Sequence, residues 1–250
     1  MSAVQIARNG RIATLTLSRG KVNALNEPLV EELTQCLGDL ENDRQVGSVI
    51  LTGSGKFFSF GFDIPEFMDY SKESFAVFLR KFTSLYKYIY LFPKPAVAAL
   101  NGHTIAGGCM LATACDRRIM VTGRAKIALN EVEFGSSVFA GSVEILKYCV
   151  GQRNAELILG SGTMYTAEEA QSLGLVDRVV PEDSLKDEAL RTARELAEKD
   201  PVAYASIKGL ARRPVAESFA EREEQSIRVF VDIWYSDSTR EQLREIKIHD

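Results

Sequence analysis

The sequence predicts an α/β fold followed by a helical C-terminal region, and three observations carry that reading. Residues 3–53 run strand, helix, strand. The apolar run Pro95-Ala-Val-Ala-Ala-Leu100 then leads through a turn into Gly107-Gly108 and a stretch of helix-forming residues. From about residue 183 strand signals vanish and charged helical segments take over. Strands alternating with helices indicate a mixed α/β architecture.

Taken in order, residues 3–18 carry β-type sequence on both sides of Asn9-Gly10, a hairpin signal. Leu15 and Leu17 alternate with Thr14 and Thr16, as in a strand with one face in the core. Gly20-Lys-Val-Asn-Ala-Leu-Asn26 reads as a polar loop, with Asn26 as an N-cap and Pro28 in the first helical turn. Leu29, Val30, Leu33, Leu37 and Leu40 recur at helical spacing up to about Asn42, and Ser48-Val-Ile-Leu-Thr52 is a buried strand. Gly53-Ser-Gly-Lys56 is not a nucleoside triphosphate loop. Ile50 stands where the first glycine belongs, and Phe57 follows Lys56 where magnesium needs Ser or Thr. Phe57-Phe-Ser-Phe-Gly-Phe-Asp-Ile64 places four aromatics around Gly61, either to plug a core or to turn a backbone donor into a pocket. Residues 73–92 predict a long amphipathic helix ended by Pro93 and Pro95.

After the strand ending at Leu100, a turn at Asn101-Gly102 precedes the glycine pair at 107–108. Glycines at a helix start expose backbone N–H groups that a carbonyl or phosphate oxygen can approach. A tight turn packed in the core is the alternative. Arg118-Ile-Met-Val-Thr122 reads as a further strand. In Ala125–Gly135, Glu131 sits between apolar neighbours with Glu133 two residues on. An extended chain would put both carboxylates on one side, a bend at Asn130 would part them, and solvation would explain Glu131 without any function. Helices follow at roughly 141–150, 152–160 and 166–173, the last opening on a Thr166–Glu169 capping box. Gly174–Val180 is extended, and Pro181 begins a helix. Helical stretches at 183–199, 201–211, 215–232 and 237–247 lie between breakers at Pro201, Pro214 and Asp237. Phe219, Ile227, Phe230, Val231, Ile233, Trp234 and Tyr235 are too apolar for solvated helices and imply docking on the main domain or another subunit.

Composition narrows the function. A net charge of −4 supplies no basic footprint for nucleic acid. Four scattered cysteines read as reduced thiols, neither a disulfide framework nor a zinc site. Two histidines, His103 and His249, argue against a histidine-rich metal centre, and His103 reads as a satisfied turn residue. No run reaches the roughly 18 apolar residues of a membrane span, and the N-terminus lacks a signal-peptide pattern, so a cytoplasmic location is expected.

Several segments in order and spacing resemble the crotonase superfamily, the coenzyme A thioester enzymes that include enoyl-CoA hydratases and isomerases. They are Val22-Asn-Ala-Leu-Asn26, Phe58-Ser-Phe-Gly-Phe-Asp-Ile64, Asn101-Gly with Ala106-Gly-Gly-Cys109, Cys115-Asp-Arg-Arg-Ile119, and Ala167-Glu-Glu-Ala with Gly174-Leu-Val-Asp177 and Val179-Val-Pro181. The resemblance implies a spiral core of repeated ββα units over residues 1–182, binding acyl-CoA and performing the chemistry. It further implies a helical region over 183–250 for pocket closure and for assembly into trimers or dimers of trimers. Two backbone N–H groups would form an oxyanion hole, here those of Phe62 and Gly107. Val22, Ala24, Phe60, Gly61, Asp63, Ile64 and Met110 would line the substrate site. Lys21 and Lys56 would approach the coenzyme A phosphates unless they are simply solvated.

Hydratases of this superfamily use two glutamates. Met110 occupies the position of the first and Glu131 that of the second. A single carboxylate suits a proton shuttle from C2 to C4 that converts a 3-enoyl-CoA to trans-2-enoyl-CoA. Ala106-Gly-Gly-Cys-Met-Leu-Ala112 and Leu129-Asn-Glu131 are similar to Δ3,Δ2-enoyl-CoA isomerase motifs. That reaction needs no metal and no cofactor beyond the coenzyme A of its substrate. Thioester hydrolysis, decarboxylation and a catalytically silent acyl-CoA-binding protein are the alternatives, with hydration least favoured. Phe60 and Phe62 are bulkier than the family's usual residues and could shorten the acyl pocket.

Overall fold

The computed structural model describes residues 2–246; His249 lies outside them. Its main sheet has the order β1-β2-β3-β5-β7-β9. The strands are β1 (Val4–Asn9), β2 (Ile12–Leu17), β3 (Ser48–Gly53), β5 (Ala96–Leu100), β7 (Arg117–Val121) and β9 (Arg178–Val180). The β1–β2 hairpin is antiparallel and every other pair is parallel. The Leu/Thr alternation of β2 decides what covers each face. Leu15, Val49, Leu51 and Ala96 meet α1 (Glu27–Asn42) and α3 (Lys72–Leu91) through Leu33, Leu37 and Ile89. Thr14, Thr16, Ile50 and Thr52 face α7 (Leu185–Ala197). Asn26 caps α1, accepting the Leu29 N–H, with Pro28 in the first turn as its sequence requires.

A second sheet positions the site. It contains β4 (Phe57–Ser59), β6 (His103–Ile105) and β8 (Ile127–Ala128), all parallel. Sequence reading finds none of these short strands. Beyond their carboxyl ends come Phe60–Asp63, Ala106-Gly107 and Asn130-Glu131 respectively. Ligand sites in parallel sheets commonly lie at that end of the strands. Two short helices follow: α2 (Ile64–Met68), not expected from sequence, and α4 (Gly107–Ala114), whose residues are all buried.

The C-terminal half keeps most predicted boundaries. The segment α5 (Ala140–Ser161) is two helices joined at Gly151, whose φ of +78° breaks it where the sequence separates 141–150 from 152–160. The Thr166–Glu169 capping box opens α6 (Ala167–Ser172). One boundary is corrected: α8 (Pro201–Trp234) continues through Pro214, where a break was expected. Proline removes a helical N–H, but Leu210, four residues back, is exposed, so water can take the carbonyl left over. Helix α9 (Asp237–Arg244) ends the described secondary structure.

Helix α8 is held by a buried ionic cluster that its charge pattern conceals. The Asp116 carboxylate accepts from the Ala96 N–H and from Lys208 Nζ, each at 2.7 Å, and pairs with Arg212 at 3.0 Å. Arg212 also donates to the carbonyls of Tyr90 and Ala114. The cluster ties α8 to the carboxyl end of α4. Further along α8, Phe230 and Trp234 join an aromatic group with Phe62, Phe75 and Phe139.

Candidate active site

A cavity of about 190 Å³ opens at the carboxyl ends of the small sheet. Its wall is largely hydrocarbon: Phe60, Phe62, Ile64, Ile105, Met110, Phe134, Phe230, Trp234 and Ile246, with Ala106 and Gly107 between them. Glu131 is the one ionisable side chain among the described lining residues.

Two backbone donors meet at this wall. The segment 60–63 runs alongside residues 22–25, where Phe60 N–H donates to Val22 O and Asp63 N–H to Leu25 O, each at 3.0 Å. Gly61 N–H is taken by Ser59 Oγ at 3.1 Å. Phe62 N–H, between them, has no acceptor among the described residues. Gly61 has a φ of +96°, a turn open to glycine without strain. Gly107 is the first residue of α4, so its N–H has no intrahelical partner either. The two donors are neighbours: a Cβ built on Gly61 would lie 3.2 Å from the Gly107 nitrogen. Close packing of the strand ends also explains the second glycine of the pair, since a Cβ on Gly108 would fall 2.5 Å from the Ser59 carbonyl oxygen.

Glu131 starts a 3-10 turn, Glu131–Phe134, entered through a bend at Asn130. The turn separates the two carboxylates, leaving Glu131 4% exposed and Glu133 in solvent. Burial pushes the Glu131 carboxyl up to about 8, and a hydrogen bond from its own backbone N–H offsets only part of the lost hydration. Among the described residues its Oε2 has no hydrogen-bond partner, nor have Asn130 Oδ1 and Trp234 Nε1, all buried and all on cavity-lining residues. Met110, one turn into α4, is fully buried, and Ser142 Oγ donates to its sulfur at 3.2 Å. A buried carboxylate with one oxygen open can exchange a proton with a bound molecule, and free N–H donors can receive a developing negative oxygen.

Of the residues singled out from sequence, Phe60, Phe62, Ile64, Gly107, Met110 and Glu131 share this cavity, with Gly61 directly behind the donors. Val22 and Ala24 act through backbone: the Val22 carbonyl holds Phe60, and the Ala24 carbonyl accepts from Arg19. Asp63, expected at the substrate site, is not among the residues lining this cavity. Its carboxylate caps α2 through the Glu66 N–H and pairs with Arg19 at 2.7 Å. Arg19 also reaches Glu66, so it clamps the 19–26 loop to α2. Lys21 and Lys56 are exposed on loops after β2 and β3 and do not line the cavity. His103 accepts the Lys126 N–H on Nδ1 and packs on Phe57, consistent with a structural residue, though it lies in β6 and not in a turn. Sequence reading missed Ile105, Ala106, Asn130, Phe134, Phe230, Trp234 and Ile246 as lining. For α8 the signal was its excess of apolar residues, read as docking on the main domain or another subunit and not as cavity lining.

The sequence model of the enoyl-CoA hydratase/isomerase family matches residues 7–246. The chain belongs to the enoyl-CoA hydratase/isomerase family. Among its relatives, a probable enoyl-CoA hydratase of Bacillus subtilis is 36% identical over 210 residues, covering 83% of this chain and 81% of that protein. The short-chain-enoyl-CoA hydratase of Clostridium acetobutylicum is 34% identical, covering 85% and 82%. Among solved structures, human mitochondrial Δ3,Δ2-enoyl-CoA isomerase superposes with a TM-score of 0.93 at 29% identity, over 97% of this chain and 96% of that one. The family is thus an acyl-CoA enzyme family, with hydratases among the sequence relatives and an isomerase among the structural ones. Among the described residues no helix is long and apolar enough to cross a membrane.

Proposed function

We propose that this enzyme is an enoyl-CoA isomerase that moves a double bond from position 3 of the acyl chain to position 2. The observation that carries the proposal is the solitary carboxylate: Glu131 shares its cavity with Met110 and with no second acid among the described residues. Hydration needs a water activated on one side and a proton delivered on the other. A thioether cannot supply either.

In the proposed scheme the thioester oxygen accepts from the N–H groups of Phe62 and Gly107. Ionised Glu131 takes a proton from C2, and the electron pair spreads over the thioester carbonyl and the C3–C4 double bond as a dienolate. The same carboxyl returns the proton to C4, leaving the double bond between C2 and C3 and Glu131 ionised again. No proton is gained or lost overall, and no cofactor takes part. Each preorganised N–H donor contributes about 3 kcal/mol to such a transition state. A dry wall keeps water from the dienolate and keeps the proton on Glu131 between the two transfers.

The wider proposal follows the same family. Exposed Lys21 and Lys56 would contact the coenzyme A phosphates. Val202, Ile207 and Leu210, exposed along α8, would be covered in a homotrimer. The test of the reaction compares cis- and trans-3-enoyl-CoAs of several chain lengths with a 2-enoyl-CoA hydration control, for the native enzyme and for Glu131→Gln. Isomerisation by the native enzyme that disappears in the variant supports the scheme. Full activity in Glu131→Gln would sink it.

A further inference from the structure

Ala106 holds a backbone conformation that residues with a side chain rarely adopt, with φ +48° and ψ −119°. Asn23 is the other described non-glycine residue at positive φ, and asparagine tolerates that region better than alanine. Conformations of this kind persist only where the surroundings over-determine them. Here they do. The Ala106 N–H donates to the Ala128 carbonyl of β8 at 2.8 Å, and its carbonyl accepts the Met110 N–H of α4 at 3.0 Å. Between those anchors the 106–107 peptide must turn, and the turn leaves the Gly107 N–H unpaired at the cavity wall.

The other donor is built with the same handedness but without strain, because the residue before Phe62 is Gly61 at φ +96°. The two turns touch. A Cβ placed on Gly61 would lie 3.0 Å from the Ala106 Cβ, so the Ala106 methyl packs against the Gly61 backbone. A glycine at 106 would satisfy the turn more cheaply, yet it would remove that contact and widen the range of φ and ψ open to the peptide.

We propose that Ala106 is a positioning residue whose methyl, seated on Gly61, fixes the separation of the Phe62 and Gly107 donors so that both meet one oxygen. The inference rests on the oxyanion role given to those donors above. Strain at residue 106 then serves preorganisation: the donors are aimed before the substrate arrives.

The test uses Ala106→Gly and Ala106→Ser in the full chain, with butanoyl-CoA labelled with carbon-13 at C1 as a bound, unreactive probe. Infrared spectra of the bound carbonyl, melting temperature, kcat and KM are recorded for each. Expected for Ala106→Gly are a smaller, broader carbonyl shift, kcat lowered about tenfold, KM within about twofold, and a melting temperature unchanged or raised. Ala106→Ser keeps a Cβ and should restore the narrow band and most of kcat. A native-like band and kcat in Ala106→Gly would overturn the inference while leaving the donor assignment intact. A fall in kcat matched by a fall in melting temperature, with the band unchanged, would reduce Ala106 to a structural role. If the native enzyme itself shows no carbonyl shift, the donor assignment fails, and this inference fails with it.

Discussion

Met110 and Glu131 face one cavity from two different kinds of structure, and the proposed chemistry rests on that contrast. Met110 stands inside α4, where every residue is buried, and its sulfur is met by Ser142. Glu131 stands on a 3-10 turn outside regular strands and α-helices, with one carboxylate oxygen unpaired and its acidity weakened by burial. One wall is as stable as its surroundings allow. The other holds a buried carboxyl with one oxygen open to a bound molecule. In a family that contains both hydratases and isomerases, this asymmetry favours moving a proton over adding water.

The sharpest way to break the comparison is Glu131→Gln. Loss of general acid–base catalysis should lower isomerase kcat by about 10³–10⁴. The same variant should be more stable where the native carboxyl must ionise. Burial holds the Glu131 carboxyl at about 8 in the folded chain, against 4.5 for the same carboxyl in water. Below pH 4.5 the carboxyl is protonated in both states and the variant gains nothing. The native penalty grows as pH rises from 4.5 to 8 and is complete above 8, reaching roughly 3–6 kcal/mol. Urea unfolding at pH 5 and pH 9 measures it, and a stability difference independent of pH would mean that Glu131 is not buried as described.

A pH profile of the native enzyme sharpens the same point. The proposed scheme needs Glu131 ionised, so it predicts that kcat/KM rises with pH and levels off only above about 8. A plateau already reached at pH 6 would place an ordinary, solvated carboxylate at the base and remove the contrast with Met110.

Met110→Glu tests the opposite wall. A second carboxyl among apolar neighbours should cost about 3 kcal/mol of stability at pH 8 and less at pH 5, where it stays neutral. Isomerase kcat should fall roughly tenfold as water gains a foothold, and hydration of a 2-enoyl-CoA should become measurable. A variant with undiminished isomerisation and no hydration would show that Met110 does not choose between the reactions.

Legibility of these two walls in the sequence was uneven for physical reasons. Long elements with a strong period were readable: the leucines of α1, the aromatic face of α3 and the Leu/Thr alternation of β2 all lie where their spacing puts them. The small sheet was not, because β4, β6 and β8 have at most three residues each, too few for any period to show. Glu131 and the donors at Phe62 and Gly107 were reached through motifs, but the local sequence left both the bend at Asn130 and the solvation of Glu131 open, and packing decides them. Lys208 and Arg212 failed in the opposite sense. Both are buried against Asp116, ninety-two and ninety-six residues earlier in the chain, and nothing in the sequence of the helix singles them out. Long-range pairing of that sort leaves no trace in a single helix.

The smallest expected effect belongs to Ser142→Ala, and it asks what kind of wall Met110 is. Ser142 is buried, and its hydroxyl donates to the Met110 sulfur, a weak acceptor. If Met110 acts by filling space, α4 packing alone holds it, and removing the hydroxyl should change stability by less than about 1 kcal/mol and kcat by less than about twofold. Chemical denaturation and 3-enoyl-CoA turnover measure both. A larger loss of kcat at unchanged stability would mean that the thioether must be oriented as well as present. The asymmetry between Met110 and Glu131 would then be one of directed contacts on both sides of the cavity, not of a passive surface against an active one.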